Sequence, residues 1–111
     1  MKIAEIKKDN FEELVVNAKT PVLVDFWAPW CGYCRRLSPA VDQLAEDYDG
    51  KLLVGKINID DEPELAEKFE VETIPTLILF EDGKNSEPFV APQSRAQIVD
   101  WLKENGKNGD L

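Results

Sequence analysis

Six consecutive residues, Val22-Leu23-Val24-Asp25-Phe26-Trp27, are apolar but for one acid. A half-exposed strand would alternate polar and apolar positions, so a short continuous run of this kind fits a central strand covered on both faces. That points to a strand in the middle of a sheet that has a covering layer on each face. The run leads through Ala28-Pro29 into Trp30-Cys31-Gly32-Tyr33-Cys34, which holds the only two cysteines among 111 residues. A strand that empties into a Cys-x-x-Cys opening a helix is an arrangement for making and breaking one disulfide. A helix start also turns an ordinary thiol toward thiolate at neutral pH.

The remaining segments supply the layers. Ile3-Ala4-Glu5-Ile6 reads as a short first strand. Asp9 with Glu12 resembles a capping box, and Phe11, Leu14, Val15 and Ala18 share one helical face. After Cys34, Leu37, Val41, Leu44 and Tyr48 recur at helical spacing until Asp49-Gly50. Pro39 inside that helix removes one backbone bond and should kink its axis. Leu52 to Ile59 is a second strong strand, and Asp61 and Pro63 start a short helix carrying Leu65, Ala66 and Phe69. Thr76 to Phe80 is another long strand, closed by the hairpin signal Asp82-Gly83 and partnered by about Ser86 to Val90. Ser94 and Gln97 form a further capping box for a helix with Ile98, Trp101 and Leu102 inward and Gly106 as its stop. The tail Lys107 to Leu111 is expected to fray. The order β-α-β-α-β-α-β-β-α predicts an α/β fold, a mixed five-stranded sheet flanked by four helices.

With 43% apolar residues, the chain can bury a core as one domain spanning residues 1–111 without a metal or structural disulfide. No stretch approaches the roughly 20 apolar residues that cross a bilayer. Met1-Lys2-Ile3-Ala4-Glu5 lacks an apolar stretch behind its lysine, so no signal peptide is visible and a reducing, cytoplasmic setting is expected. A net charge of −9 disfavours nucleic acid and anionic membranes as partners. Acids gather in Asp60-Asp61-Glu62-Pro63-Glu64 and on through Glu67, Glu70 and Glu72. They read either as a solvated helix face with its cap or as a docking patch for a basic partner. No exposed apolar seam is evident, which makes a monomer the expectation.

The pieces Val24-Asp25-Phe26-Trp27-Ala28-Pro29-Trp30-Cys31-Gly32, Pro39, Lys56-Ile57-Asn58-Ile59-Asp60, Ile74-Pro75-Thr76 and Asp82-Gly83 occur in order. Together they resemble the thioredoxin family from about Ile3 to Asn105. The resemblance implies sheet order 1-3-2-4-5, the redox pair at the start of the second helix, no bound cofactor, and reduction of protein disulfides. It also implies recharging by a flavin-containing, pyridine-nucleotide-dependent thioredoxin reductase. Two departures stand out. Tyr33 occupies the position before the second cysteine, where the family typically has proline, and Val90-Ala91-Pro92 stands where Val-Gly-Ala is usual.

Cys31 should sit at the helix N-cap, facing unpaired N–H groups and the positive end of the helix dipole. Arg35 and Arg36 add positive charge a turn further on, so Cys31 is the better nucleophile. Cys34, on the same side of the first turn, would resolve the mixed disulfide. Half a zinc site is the other reading of such a pair, but four ligands are needed and the chain has no histidine and no third cysteine. Only a metal shared between two copies, or inert thiols, would remain. A carboxylate at Asp25 inside an apolar run is costly unless it has a task or partner. Burial would raise its pKa toward that of a general base, and the resemblance assigns it the Cys34 proton. An acid emerging at a strand end is the plainer reading.

Lys56 matches the family lysine that pairs with this acid, although a strand lysine alone is as readily solvated. X-Pro bonds are cis in only about 5–6% of cases, so residue types alone imply trans at Pro75. The resemblance implies cis, with Pro75 facing the cysteines and the Ile74 backbone free to pair with an extended substrate. Trp30 is either packing or a flat docking rim. Gly32 permits close approach and relaxes the turn, Tyr33 adds an aromatic surface and a hydroxyl, and Ala91 lies beside the substrate groove. A more oxidising isomerase or oxidase, a glutaredoxin-like protein, and a non-catalytic binding subunit are the rival functions.

Overall fold

In the computed structural model, residues 3–107 and 111 are described. Strands β1 (Ile3–Glu5), β2 (Val22–Trp27) and β3 (Leu53–Asn58) alternate with a π-helical turn (Glu12–Val16) and helix α1 (Gly32–Asp47). Helix α2 (Pro63–Lys68) leads to β4 (Thr76–Glu81), the short strands β5 (Lys84–Asn85) and β6 (Phe89–Val90), and helix α3 (Arg95–Asn105).

The apolar run lands where its composition demands. β2 lies between β3, parallel to it, and β4, antiparallel to it, in the order β1-β3-β2-β4-β5, with β6 also on β4. Successive side chains of a strand point to opposite faces, and both faces are filled. Leu23 joins Val54, Leu77 and Leu79 under Leu37, Val41 and Leu44 of α1 and Ile98 and Leu102 of α3. Val22, Val24 and Phe26 join Ile57, Ile78 and Phe80 against Phe11 and Val15 of the π-helical turn and Leu65 of α2. On that second face Phe69 meets Phe80 edge-on with centroids 5.2 Å apart, and Phe11 packs on both rings.

Several local expectations change on contact with the fold. Asp9 does not cap the first helix: Asn10 closes the turn instead, its Oδ1 accepting from the Lys7 N–H at 2.7 Å and its Nδ2 donating to the Glu5 carbonyl. The helix that follows has one residue too many per turn, the Asn17 N–H donating to the Glu12 carbonyl. α1 runs through Pro39 without a break and ends at Asp47, with Gly50 taking a left-handed φ of 86° beyond it. Glu62, not Asp61, is the N-cap of α2.

Asp82 and Gly83 both have positive φ, 53° and 78°, which is what a two-residue turn between Glu81 and Lys84 requires. The expected partner strand, Ser86 to Val90, is split into β5 and β6. Pro88 has no N–H to give a ladder, and at Ser86 the side-chain oxygen, not the carbonyl, accepts from the Leu79 N–H. Ser94 caps α3 by accepting from the Gln97 N–H at 3.1 Å, while Gln97 reaches back to the N–H of Gln93, one residue before the cap. Gly106 does follow α3, in an extended conformation with φ −71°. A Cβ there would be tight, 3.0 Å from the Leu102 carbonyl and 2.9 Å from the flexible end of the Leu111 side chain. Of the tail expected to fray, residues 108–110 lie outside the described residues, whereas Leu111 packs on the α1–α3 side of the core. Among the described residues no helix is long and apolar enough to cross a membrane.

Candidate active site

Where β2 ends, the chain turns through Ala28 and Pro29 and enters α1 with Cys31 as N-cap, its backbone extended at φ −88°, ψ 107°. The two cysteines are joined in a disulfide, their Cα atoms 5.3 Å apart. Cys31 Sγ accepts from the Cys34 N–H at 3.1 Å, so the sulfur already occupies the acceptor position of a helix cap. Reduction would leave that N–H aimed at the Cys31 sulfur. Cys31 is 7% exposed and Cys34 4%, so Cys31 is only marginally the more open of the two. Arg35 adds its charge beside them and stitches the turn by donating to the Pro29 carbonyl at 2.7 Å.

Asp25 is 2% exposed, on the face of β2 that carries Leu23. It is in register with Lys56 on β3 and Leu77 on β4. Cys34, Ser38 and Asp42 follow one another at intervals of four along α1, hence on one side of that helix, and the last two reach Lys56. Burial pushes the Asp25 carboxyl up to about 7, against the pull of the Lys56 ammonium and with a further push from the Asp42 charge. Its Oδ1 has no hydrogen-bond partner among the described residues. The ion pair expected between Asp25 and Lys56 is not made. Lys56 Nζ lies 2.9 Å from Ser38 Oγ and 3.6 Å from Asp42 Oδ1 instead. The ammonium turns toward α1 because two oxygens there, nearer the solvent, hold it at less desolvation cost than the buried acid would.

The Ile74–Pro75 peptide is cis, as the resemblance implied and against the expectation from residue types alone. The Ile74 carbonyl oxygen lies 4.0 Å from Cys31 Sγ; a disulfide sulfur carries no proton, so this is a contact. Ile74 also packs with Trp27, Tyr33 and Ile59 around Ala28 and the cysteines. Trp30 is 65% exposed, which removes the plain packing reading. Its indole N–H donates to the Asp60 carboxylate at 3.0 Å, so the exposed ring is tethered. Gly32 has no positive φ, and a Cβ there would meet only the Arg35 guanidinium at 3.9 Å, an ordinary contact, so neither turn geometry nor packing within the chain requires glycine. The Tyr33 hydroxyl lies 3.2 Å from the carbonyl oxygens of both Ala91 and Pro92.

Cys31, Cys34, Trp30, Gly32, Tyr33, Ile74, Pro75 and Ala91 thus meet at one end of the sheet, with Asp25 and Lys56 beneath them. Sequence reasoning missed Asp60, Ser38 and Asp42 as site neighbours, and it marked Pro92 only as a departure from the family pattern. Asp60 had a signal, since it closes the Lys56-to-Asp60 piece. Ser38 and Asp42 touch Lys56 only through the folded packing.

A family model described as Thioredoxin matches residues 2–104. The chain is 38% identical over 104 residues to "Thioredoxin" of Pyropia yezoensis, an alignment covering 94% of this chain and 97% of that one. It is 37% identical over 102 residues to "Thioredoxin 1" of Nostoc sp. (strain PCC 7120 / SAG 25.82 / UTEX 2576), covering 92% of this chain and 95% of the other. Against "Thioredoxin M-type, chloroplastic" of Spinacia oleracea it is 33% identical over 102 residues, covering 92% of this chain and 56% of that protein. A match over nearly the entire length, on a sheet that delivers a disulfide to a helix start, leads to one conclusion: the chain belongs to the thioredoxin family of thiol–disulfide oxidoreductases.

Proposed function

We propose that this protein is a reductant of protein disulfides. The observation that carries this reading is the Cys31 sulfur at the N-cap of α1, accepting a backbone N–H and lying beside Ile74. In the reduced protein the Cys31 thiolate attacks one sulfur of a substrate disulfide. A mixed disulfide forms and the first substrate thiolate leaves, taking a proton from solvent. Cys34 then passes its proton by way of water to the Asp25 carboxylate, attacks Cys31 Sγ and expels the second substrate sulfur. Two electrons pass to the substrate, and Cys31–Cys34 is left oxidised.

Asp25 suits the proton step because a carboxyl held near 7 exchanges protons readily at neutral pH. Lys56, held by Ser38 and Asp42, tempers it through its charge and not through a direct bond. The Ile74 N–H has no hydrogen-bond partner among the described residues. It is therefore free to pair with an extended substrate segment, with Pro75, Gly32 and Ala91 bounding the groove and Trp30 its apolar rim. Such backbone pairing favours a broad substrate range. A flavin-containing, pyridine-nucleotide-dependent thioredoxin reductase is the electron donor on this reading. The protein acts as a single 1–111 domain and a monomer in the reducing cytoplasm, without a cofactor of its own.

Reduction of insulin driven by dithiothreitol tests the proposal. Cys31→Ser should abolish the acceleration, and Cys34→Ser should trap substrates as mixed disulfides. Alkylation of the reduced protein should reach half its limiting rate at Cys31 below the free-thiol value of about 8.5. Acceleration that persists in Cys31→Ser would refute the assignment. A potential near −180 mV or above, in place of one near the roughly −270 mV quoted for thioredoxin itself, would move the reading to an isomerase or oxidase.

A further inference from the structure

The two places where this chain leaves the family pattern, Tyr33 and Ala91-Pro92, touch in the fold. The Tyr33 hydroxyl has one proton to donate and stands 3.2 Å from each of the two carbonyl oxygens, so it bridges them. Ala91 holds φ at +50°, in the left-handed region that disfavours any residue with a Cβ. Both of its backbone groups are tied. Its N–H donates to the Pro75 carbonyl at 2.8 Å, and its carbonyl accepts from Tyr33. The Tyr33 ring is itself steadied by the Arg36 guanidinium, 5.2 Å from its centroid. A chain of contacts therefore links the Cys-x-x-Cys turn, the 91–92 turn and the Ile74-Pro75 segment, whose Ile74 carbonyl faces Cys31 Sγ.

We propose that Tyr33 is a positioning residue: its hydroxyl clasps the Ala91-Pro92 turn in a conformation that alanine does not hold unaided, and so sets the groove wall beside the disulfide. The inference rests on the reductase reading and specifies how this chain shapes its substrate groove. It makes the two departures one device, since an alanine at 91 needs an external tie that a glycine would not.

The test is a double-mutant cycle in steady-state insulin reduction with wild type, Tyr33→Phe, Ala91→Gly and the double variant. Phenylalanine keeps the ring and the Arg36 contact and removes only the hydroxyl. In the wild-type background, Tyr33→Phe should raise KM roughly three- to tenfold, the reach of a single hydrogen bond, with a smaller change in kcat. In the Ala91→Gly background, the same change should raise KM by less than about twofold. A KM rise of equal factor in both backgrounds, or none in the first, would overturn the clasp. Hydrogen exchange at the Ala91 N–H provides a readout independent of activity, and Tyr33→Phe should accelerate it. Unchanged exchange would refute the clasp, whereas a wild-type protein inert toward insulin would refute the reductase reading and leave the exchange result to decide the clasp.

Discussion

Asp25 shows how far a single residue can be read. A lone acid inside Val22–Trp27 announces either a task or a penalty, and the fold places it under α1 with one oxygen unpartnered among the described residues. Its proton makes stability depend on pH. The unfolded chain releases that proton near 3.8, the folded one near 7. Below the first value both states carry the proton and no penalty arises. Between the two only the unfolded state is ionised, so stability falls as pH rises, and above the second the loss is complete. Its upper bound is on the order of 4 kcal/mol. Asp25→Asn should remove this slope, so that the variant gains on wild type in urea titrations between about pH 4 and about pH 8. A constant difference between the two proteins would contradict a buried, protonated acid. What the sequence concealed was the neighbourhood. Lys56 was legible as a partner only through the family resemblance, and Ser38 and Asp42 reach it across the helix–sheet interface, a distance set by packing depth.

Elements with their own capping or turn chemistry were legible almost to the residue. Asp82-Gly83 forms the tight turn, and Ser94 caps α3, because both signals act within four residues and need nothing from the rest of the chain. Ser94→Ala should cost about 1 kcal/mol, read from the urea midpoint, with faster hydrogen exchange in the first turn of α3. An unchanged midpoint would mean that Gln97, already bonded to the Gln93 N–H, holds the helix start without Ser94. Elements whose ends depend on neighbours were less legible. Asp9 had the right spacing for a cap, but no side chain caps this helix; Asn10 instead ties the preceding turn back to Lys7 and Glu5. Ser86 to Val90 was expected as the return strand of the Asp82-Gly83 hairpin, yet Pro88 and the Ser86 hydroxyl divided it.

The whole molecule is held by two apolar layers, not by its disulfide. The bridge joins residues only three apart, so the chain entropy it removes from the unfolded state is worth only about 2 kcal/mol. Reduction should therefore leave the fold intact, lowering the unfolding free energy by no more than about that amount, as urea titrations with and without reductant would show. Collapse of the far-ultraviolet dichroism on reduction would contradict this account. The same division explains what each level of description decides. By itself, the order of residues determined the strand and helix succession, the central place of Val22–Trp27 and the chemistry at Cys31 and Cys34. Hydrophobic periodicity, caps and turns are local in the chain, and so is a cysteine pair at a helix start. Tertiary structure alone decided that Trp30 is tied to Asp60, that Lys56 leans on α1 and away from Asp25, and that Tyr33 reaches Ala91 and Pro92. Those contacts join residues 14 or more positions apart, and side-chain reach across a packed interface is fixed only when the layers close.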